Sequence, residues 1–199
     1  VADGSVRGRL LAAADQLFYE EGVHTVGIDR VIERAGVAKA SLYSAFGSKD
    51  ELIAAYLEAR LEERRQQVLQ AVAVQPHARA KILAVFDRLV SRVSEPTFRG
   101  CAFLRASAEG PPGDSKIRQI ARKSRLWTRE LFASLAAELG AAHPERLARQ
   151  LLVLYEGGLQ GATVEEDTAP AREARSMAEA LLDAEGGEGQ RARKATRSS

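Results

Sequence analysis

A chain of 199 residues, 45% of them hydrophobic, is long enough to bury its own core without covalent staples, and its single cysteine, Cys101, excludes an intramolecular disulfide and suits a reducing compartment. Charges break every apolar run well short of the roughly 20 residues that span a bilayer, and no secretory leader is read at the N-terminus, so a cytoplasmic protein without a membrane partner is expected. The net charge of +2 does not by itself point to nucleic acid, and residues 1–50 hold six Lys or Arg against seven Asp or Glu, so DNA affinity in that region must rest on a few placed contacts.

The first five residues carry no apolar pattern and are expected to fray. Leu10, Ala14, Leu17 and Phe18 then form one stripe of a first helix that Gly22 ends. Arg7 and Arg9 sit at its start, where the pattern by itself reads as a solvated face. His24 follows in a loop and receives no role. Ile28, Val31, Ile32 and Ala35 fall three and four apart, the spacing of a second helix face, and Gly36 stops that helix because glycine readily takes the left-handed conformation beyond a helix end. From Lys39 to Phe46 a third, short helix buries Leu42 and Phe46 and leaves Lys39, Ala40, Ser41, Ser44 and Ala45 on small or polar faces. Two helices across a glycine-containing turn make a helix-turn-helix, whose second helix can enter the major groove of DNA. In that reading Lys39 and Ser41 donate to base edges, Tyr43 and Lys49 reach phosphates, and Ser48 caps the following helix so that its amides face a phosphate. Such helix pairs are also common in all-α proteins that touch no DNA, so spacing alone leaves both readings open.

A long helix from Ser48 to about residue 70 is apolar at Leu52, Ile53, Tyr56, Leu57 and Leu61 and then highly charged through Glu62–Arg65, as a connection between two bodies would be. Pro76 breaks the chain, and the helix from His77 to Val93 buries Ile82, Val85, Phe86 and Leu89 before Glu95-Pro96. A short helix beginning near Phe98 stops at Gly110-Pro111-Pro112-Gly113. The next, from Asp114 to Leu139, turns Ile117, Ile120, Ser124, Trp127, Leu131, Leu135 and Leu139 inward and shows solvent a basic stripe. Pro144 and Pro170 open the last two helices, the first carrying Leu147, Leu151, Tyr155 and Leu159 and the second Ala174, Met177, Ala178, Leu181 and Leu182. The fold class is therefore all-α, with about nine helices: a helix-turn-helix domain over 1–48, a regulatory and dimerisation domain over 49–185, and a basic tail over 186–199 too polar to order.

The segment from Ala35 to Leu52, AGVAKASLYSAFGSKDEL, resembles the DNA-binding signature of the TetR/AcrR family of bacterial repressors, and Ala13–Phe18 with Glu21-Gly22 extends the likeness over about the first quarter of the chain. Arg99–Leu104 is similar to a segment of the family's regulatory domains. The resemblance implies that Lys39, Ala40, Ser41, Tyr43, Ser44 and Lys49 face DNA, and offers for Arg7 and Arg9 the alternative of an arm that approaches the phosphate backbone. It departs from the family where Gly27 replaces the usual Ser or Thr cap and Ile32 a usual Ala; glycine still caps a helix at a cost of a few tenths of a kcal/mol, but a hydroxyl able to hold a phosphate is lost. The resemblance further implies a transcriptional regulator, a repressor that binds a palindromic double-stranded operator as a dimer and leaves it when a small apolar or aromatic effector binds. Tyr56, Phe86, Cys101, Phe103, Trp127 and Tyr155 are the candidate effector residues, with plain core as the competing reading. For the dimer, Gly157, Gly158 and Gly161 bare one side of a helix, and Met177 and Leu181 add more apolar surface than a terminal helix needs. Relief of crowding inside one subunit is the alternative for the glycines.

No catalytic constellation accompanies these features. His24, His77 and His143 stand singly, and no HExxH, CxxC or GxSxG spacing occurs, so neither an enzyme nor a metal or other cofactor is expected. Cys101 reads as a small core residue or as a redox-sensing thiol near Arg99 and Arg105. A DNA-binding protein without an effector, either a fixed repressor or an architectural factor, is the principal alternative, and an all-α enzyme is the remaining one.

Overall fold

The hydroxyl of Ser5 accepts a hydrogen bond from the Gly8 amide at 3.0 Å and so starts α1 (Val6–Glu21) one residue after it. That cap orders the end of a segment expected to fray, because one of the orphan amides of a helix start finds an acceptor. The computed structural model describes the backbone of residues 4–109 and 115–196 and the side chains of that range up to Glu185. It is all-helical over those residues: α2 (Ile28–Ala35), α3 (Lys39–Phe46), α4 (Lys49–Ala73), α5 (Ala78–Val93), α6 (Ala102–Glu109), α7 (Lys116–Leu139), α8 (Pro144–Glu165) and α9 (Ala169–Thr196) follow α1. The Gly-Pro-Pro-Gly loop signal at 110–113 lies outside the described residues. The backbone of α9 is helical past Gly186, where an unordered tail was expected, and the good helix formers Gln190–Lys194 are compatible with propagation from an established helix; the side chains there lie outside the described residues. Among the described residues no helix is long and apolar enough to cross a membrane.

Two compact units divide the chain, one made of residues 1–64 and 101–124, the other of 65–100 and 125–199. The division falls inside α4 and α7. The reason is burial: Leu52, Ile53, Tyr56, Leu57 and Leu61 of α4 share one core with α1–α3, and Phe103 of α6 and Ile120 of α7 join it. Polar contacts tie the same pieces together. Arg60 holds Asp15 through two hydrogen bonds of 2.6 and 3.0 Å while its guanidinium lies 3.7 Å from the centre of the Tyr19 ring. Arg105 donates to the Tyr19 carbonyl at 2.9 Å, the His24 amide donates to Glu109 at 3.2 Å, and Lys116 pairs with Glu51. Burial drives the Tyr56 phenol far above its ordinary pKa, and its ring meets Phe18 edge-on at 5.6 Å.

In the second unit Phe86, Phe132 and Tyr155 form the aromatic centre, with ring centres 5.7 to 6.3 Å apart. Phe132 is fully buried, whereas Leu131, read as inward from the sequence, is only half-buried. The buried stripe of α7 keeps Ile117, Ile120, Ser124 and Leu135, as read from the sequence, and adds Thr128 and Phe132, whereas Trp127 and Leu139 are half-buried like Leu131; the hydroxyl of Thr128 disguises the apolar period. His77 caps α5, its Nδ1 accepting from the Ala80 amide at 3.2 Å. The approach of α9 to α8 rests on bare backbone: a Cβ built on Gly158 would lie 2.6 Å from Ala174 Cβ, and one on Gly161 2.6 Å from Pro170 Cβ.

Candidate nucleic-acid interface

Local chemistry sets the turn that presents α3. Gly27 leads into α2 with extended backbone and no side-chain cap, so Asp29 in the first turn is the acidic group that favours this helix start. Gly36 ends α2 at φ 62° and ψ 46°, the left-handed region, and its amide donates to the Glu33 carbonyl at 3.1 Å while the Val37 amide donates to Ile32 at 3.3 Å. Only Val37 and Ala38 then separate Gly36 from α3. Leu42 and Phe46 are buried in the core of the first unit. The opposite face carries Lys39, Ala40, Tyr43 and Ser44, all exposed, with Ser41 half-buried at its margin. Small side chains between a cation and a phenol let a helix come close to base edges.

Ser48 caps α4 as expected from the sequence, accepting from the Glu51 amide at 3.1 Å, and half-buried Lys49 follows at once. Arg7 and Arg9 turn toward backbone carbonyls. Arg7 donates to the Ala45 carbonyl at 2.8 Å with its guanidinium 4.2 Å from the centre of the Phe46 ring, so it holds the C-terminal turn of α3 against α1. Arg9 makes a long contact, 3.4 Å, to the Gly36 carbonyl.

Two cations of α2 and α3 are matched with acids. Lys39 Nζ lies 2.9 Å from Asp29 Oδ1, and that hydrogen bond, followed by the Coulombic attraction of the same carboxylate, raises the pKa of the ammonium. Arg30 is paired with Glu21, whose carboxyl is pulled below its usual range chiefly by that hydrogen bond. Asp29 was not singled out from the sequence. The available signal was an acidic residue in the first turn of one helix, ten positions before the first residue of the next.

The candidate effector residues are divided between the two units: Tyr56, Cys101 and Phe103 belong to the first, and Phe86, Trp127 and Tyr155 to the second. Phe86 and Tyr155 meet edge-on at 6.0 Å, while Trp127 faces Arg65, with 5.4 Å between guanidinium and ring centre. Cys101 is half-buried and Phe103 lies 5.7 Å from the Arg64 guanidinium. A separate cleft of about 200 Å³ adjoins the end of α3; Arg7, Phe46, Glu51, Glu58 and Lys116 line it, and its four charged groups suit no apolar molecule. Among the residues expected at a dimer interface, Gly158 and Gly161 are occupied with α9 of their own chain. Gly157 has nothing within 4 Å of a built Cβ, Met177 is 57% exposed, and Leu181 is half-buried. Val153 and Val164, both exposed, share the helix face of Gly157.

The family described as bacterial regulatory proteins, tetR family, matches residues 10–56, which span the region just described. The fold is similar to that of SCO4454, a TetR-family transcriptional regulator from Streptomyces coelicolor, with a TM-score of 0.85 and 33% identity over 90% of this chain and 95% of the other. A TetR-type regulator from Streptomyces avermitilis gives a TM-score of 0.81 and 34% identity over 92% and 98% of the two chains. The transcriptional activator FasR of Mycolicibacterium smegmatis is 39% identical over 85 residues, a stretch that covers 41% of this chain and 39% of FasR.

Proposed function

The chain belongs to the TetR family of transcriptional regulators, and from that premise we propose that it is a repressor, acting as a homodimer on a palindromic operator and released by a small apolar or aromatic effector. The observation that carries the DNA-reading part is the two-sided α3, anchored by Leu42 and Phe46 and open on Lys39, Ala40, Tyr43 and Ser44. Lys39 and Ser41 read base edges; Tyr43 and Lys49 hold phosphates. One such helix covers only a few base pairs, so selective binding requires two of them about one DNA turn apart, which a two-fold dimer supplies. The outward face of α8 and α9, with Val153, Gly157, Met177 and Leu181, supports that pairing. Phe86, Trp127 and Tyr155, which lie in one unit, are the residues from which an effector site is built, and an effector releases DNA by binding more tightly to a form whose reading heads are wrongly spaced. Operator binding of this kind takes place in the bacterial cytoplasm.

Selection of a duplex from a randomised pool, followed by gel shifts over a salt series, tests the DNA reading. Lys49→Ala weakens all sequences alike and flattens the slope of log affinity against log salt by about 0.9. Lys39→Ala costs about 1–3 kcal/mol of discrimination between operators. Parental behaviour in both variants would mean that α3 is not the reading helix.

A further inference from the structure

We propose that Asp29 is a specificity-determining residue, a counter-charge that keeps Lys39 from binding phosphates indiscriminately and leaves it to base acceptors. The inference rests on the reading of α3 as the DNA-reading helix. Its geometric basis is the 2.9 Å contact between Lys39 Nζ, at the first position of α3, and Asp29 Oδ1, in the first turn of α2. The two side chains are 59% and 81% exposed, so the pair contributes little to folding. A pair of that kind is easily opened by a competing acceptor.

Which acceptor opens it is decided by charge. Sequence-independent affinity comes from cations that neutralise phosphates and release counterions. With Asp29 bonded to it, Lys39 carries a matched charge, so at a phosphate it releases no counterion and gains little sequence-independent affinity. Guanine O6 and N7 are neutral acceptors, and an ammonium has three donors. Lys39 can therefore bond a base edge while retaining one bond to Asp29. Elsewhere in the head Arg30 is likewise paired with Glu21, and acids outnumber bases by seven to six over residues 1–50. A head so arranged has little general attraction for DNA and depends on the bases that Lys39 meets.

The experiment uses the full chain, the operator duplex selected by the parent, and a scrambled duplex of the same composition, each titrated over a salt series. Asp29→Asn raises affinity for the scrambled duplex, steepens its salt slope by about 0.9, and lowers the operator-to-scrambled ratio by about 5-fold or more, the low end of what one base contact discriminates. Asp29→Glu, which keeps the carboxylate, restores the parental ratio and slope. In a Lys39→Ala background, Asp29→Asn changes neither. The proposal is overturned if Asp29→Asn leaves the ratio at the parental value, or if it steepens the slope equally without Lys39, since Asp29 would then repel DNA on its own account. Failure of the underlying reading looks different: Lys39→Ala alone would then discriminate as the parent does.

Discussion

Adding one methyl group at Gly158 tests how closely the last two helices pack. A Cβ at that position would lie 2.6 Å from Ala174 Cβ, 3.2 Å from Ala171 Cα and 3.2 Å from the Pro170 carbonyl oxygen. Carbon atoms rest at about 3.5–4.0 Å, so α9 must retreat by about 1 Å. Two of the three atoms belong to the backbone, and no side-chain rotation relieves them. Overpacking of this kind costs about 1–3 kcal/mol, and rigid neighbours put Gly158→Ala in the upper half of that range. Alanine returns up to about 1 kcal/mol of helix propensity, which leaves a net loss of about 1–2 kcal/mol and a Tm lower by about 2–8 °C. Gly157→Ala is the control in the dissociated chain: its methyl meets nothing within 4 Å of its own subunit and should stabilise that form by about 0.5–1 kcal/mol. Both are measured by thermal and urea unfolding at several protein concentrations, because association would add its own stabilisation. A Gly158→Ala protein as stable as the parent would refute the close approach of α8 and α9.

Two further expectations concern the outer face and the buried phenol. Met177→Glu combined with Val153→Glu, at positions 57% and 63% exposed, should leave folding intact and yield monomers with weak operator affinity in sedimentation and gel-shift experiments; an unchanged sedimentation coefficient would move the dimer interface elsewhere. Tyr56 keeps its proton in the folded state well above the ordinary phenol value of about 10, so the unfolded chain ionises first and stability falls with rising pH from about pH 10 upward, by about 1.4 kcal/mol per pH unit from this group. Tyr56→Phe should remove that increment in urea unfolding compared between about pH 9 and about pH 11, and an identical alkaline loss in both proteins would contradict the burial of the phenol.

What the sequence determined by itself was whatever depends on neighbours within about one helical turn. Gly36 announces the left-handed stop of α2, Ser48 the cap of α4, and the four-residue step from Leu42 to Phe46 the side of α3 that is buried. Those local features, with the wording of residues 35–52, were enough to read the helix-turn-helix and the family. Tertiary structure decided which residues meet across separations of ten or more. The Asp29–Lys39 pair joins two helices. Phe132 rather than Leu131 completes the aromatic centre, because Phe86 and Tyr155 come from other helices and the buried side of α7 that carries Phe132 passes through the hydroxyl residue Thr128. Gly158 likewise reads the same whether it faces α9 of its own chain or a second copy, and the position of Ala174 decides that α9 fills the space. Periodicity states that a face is buried, but its partner is set by packing in three dimensions, where distance along the chain no longer measures proximity.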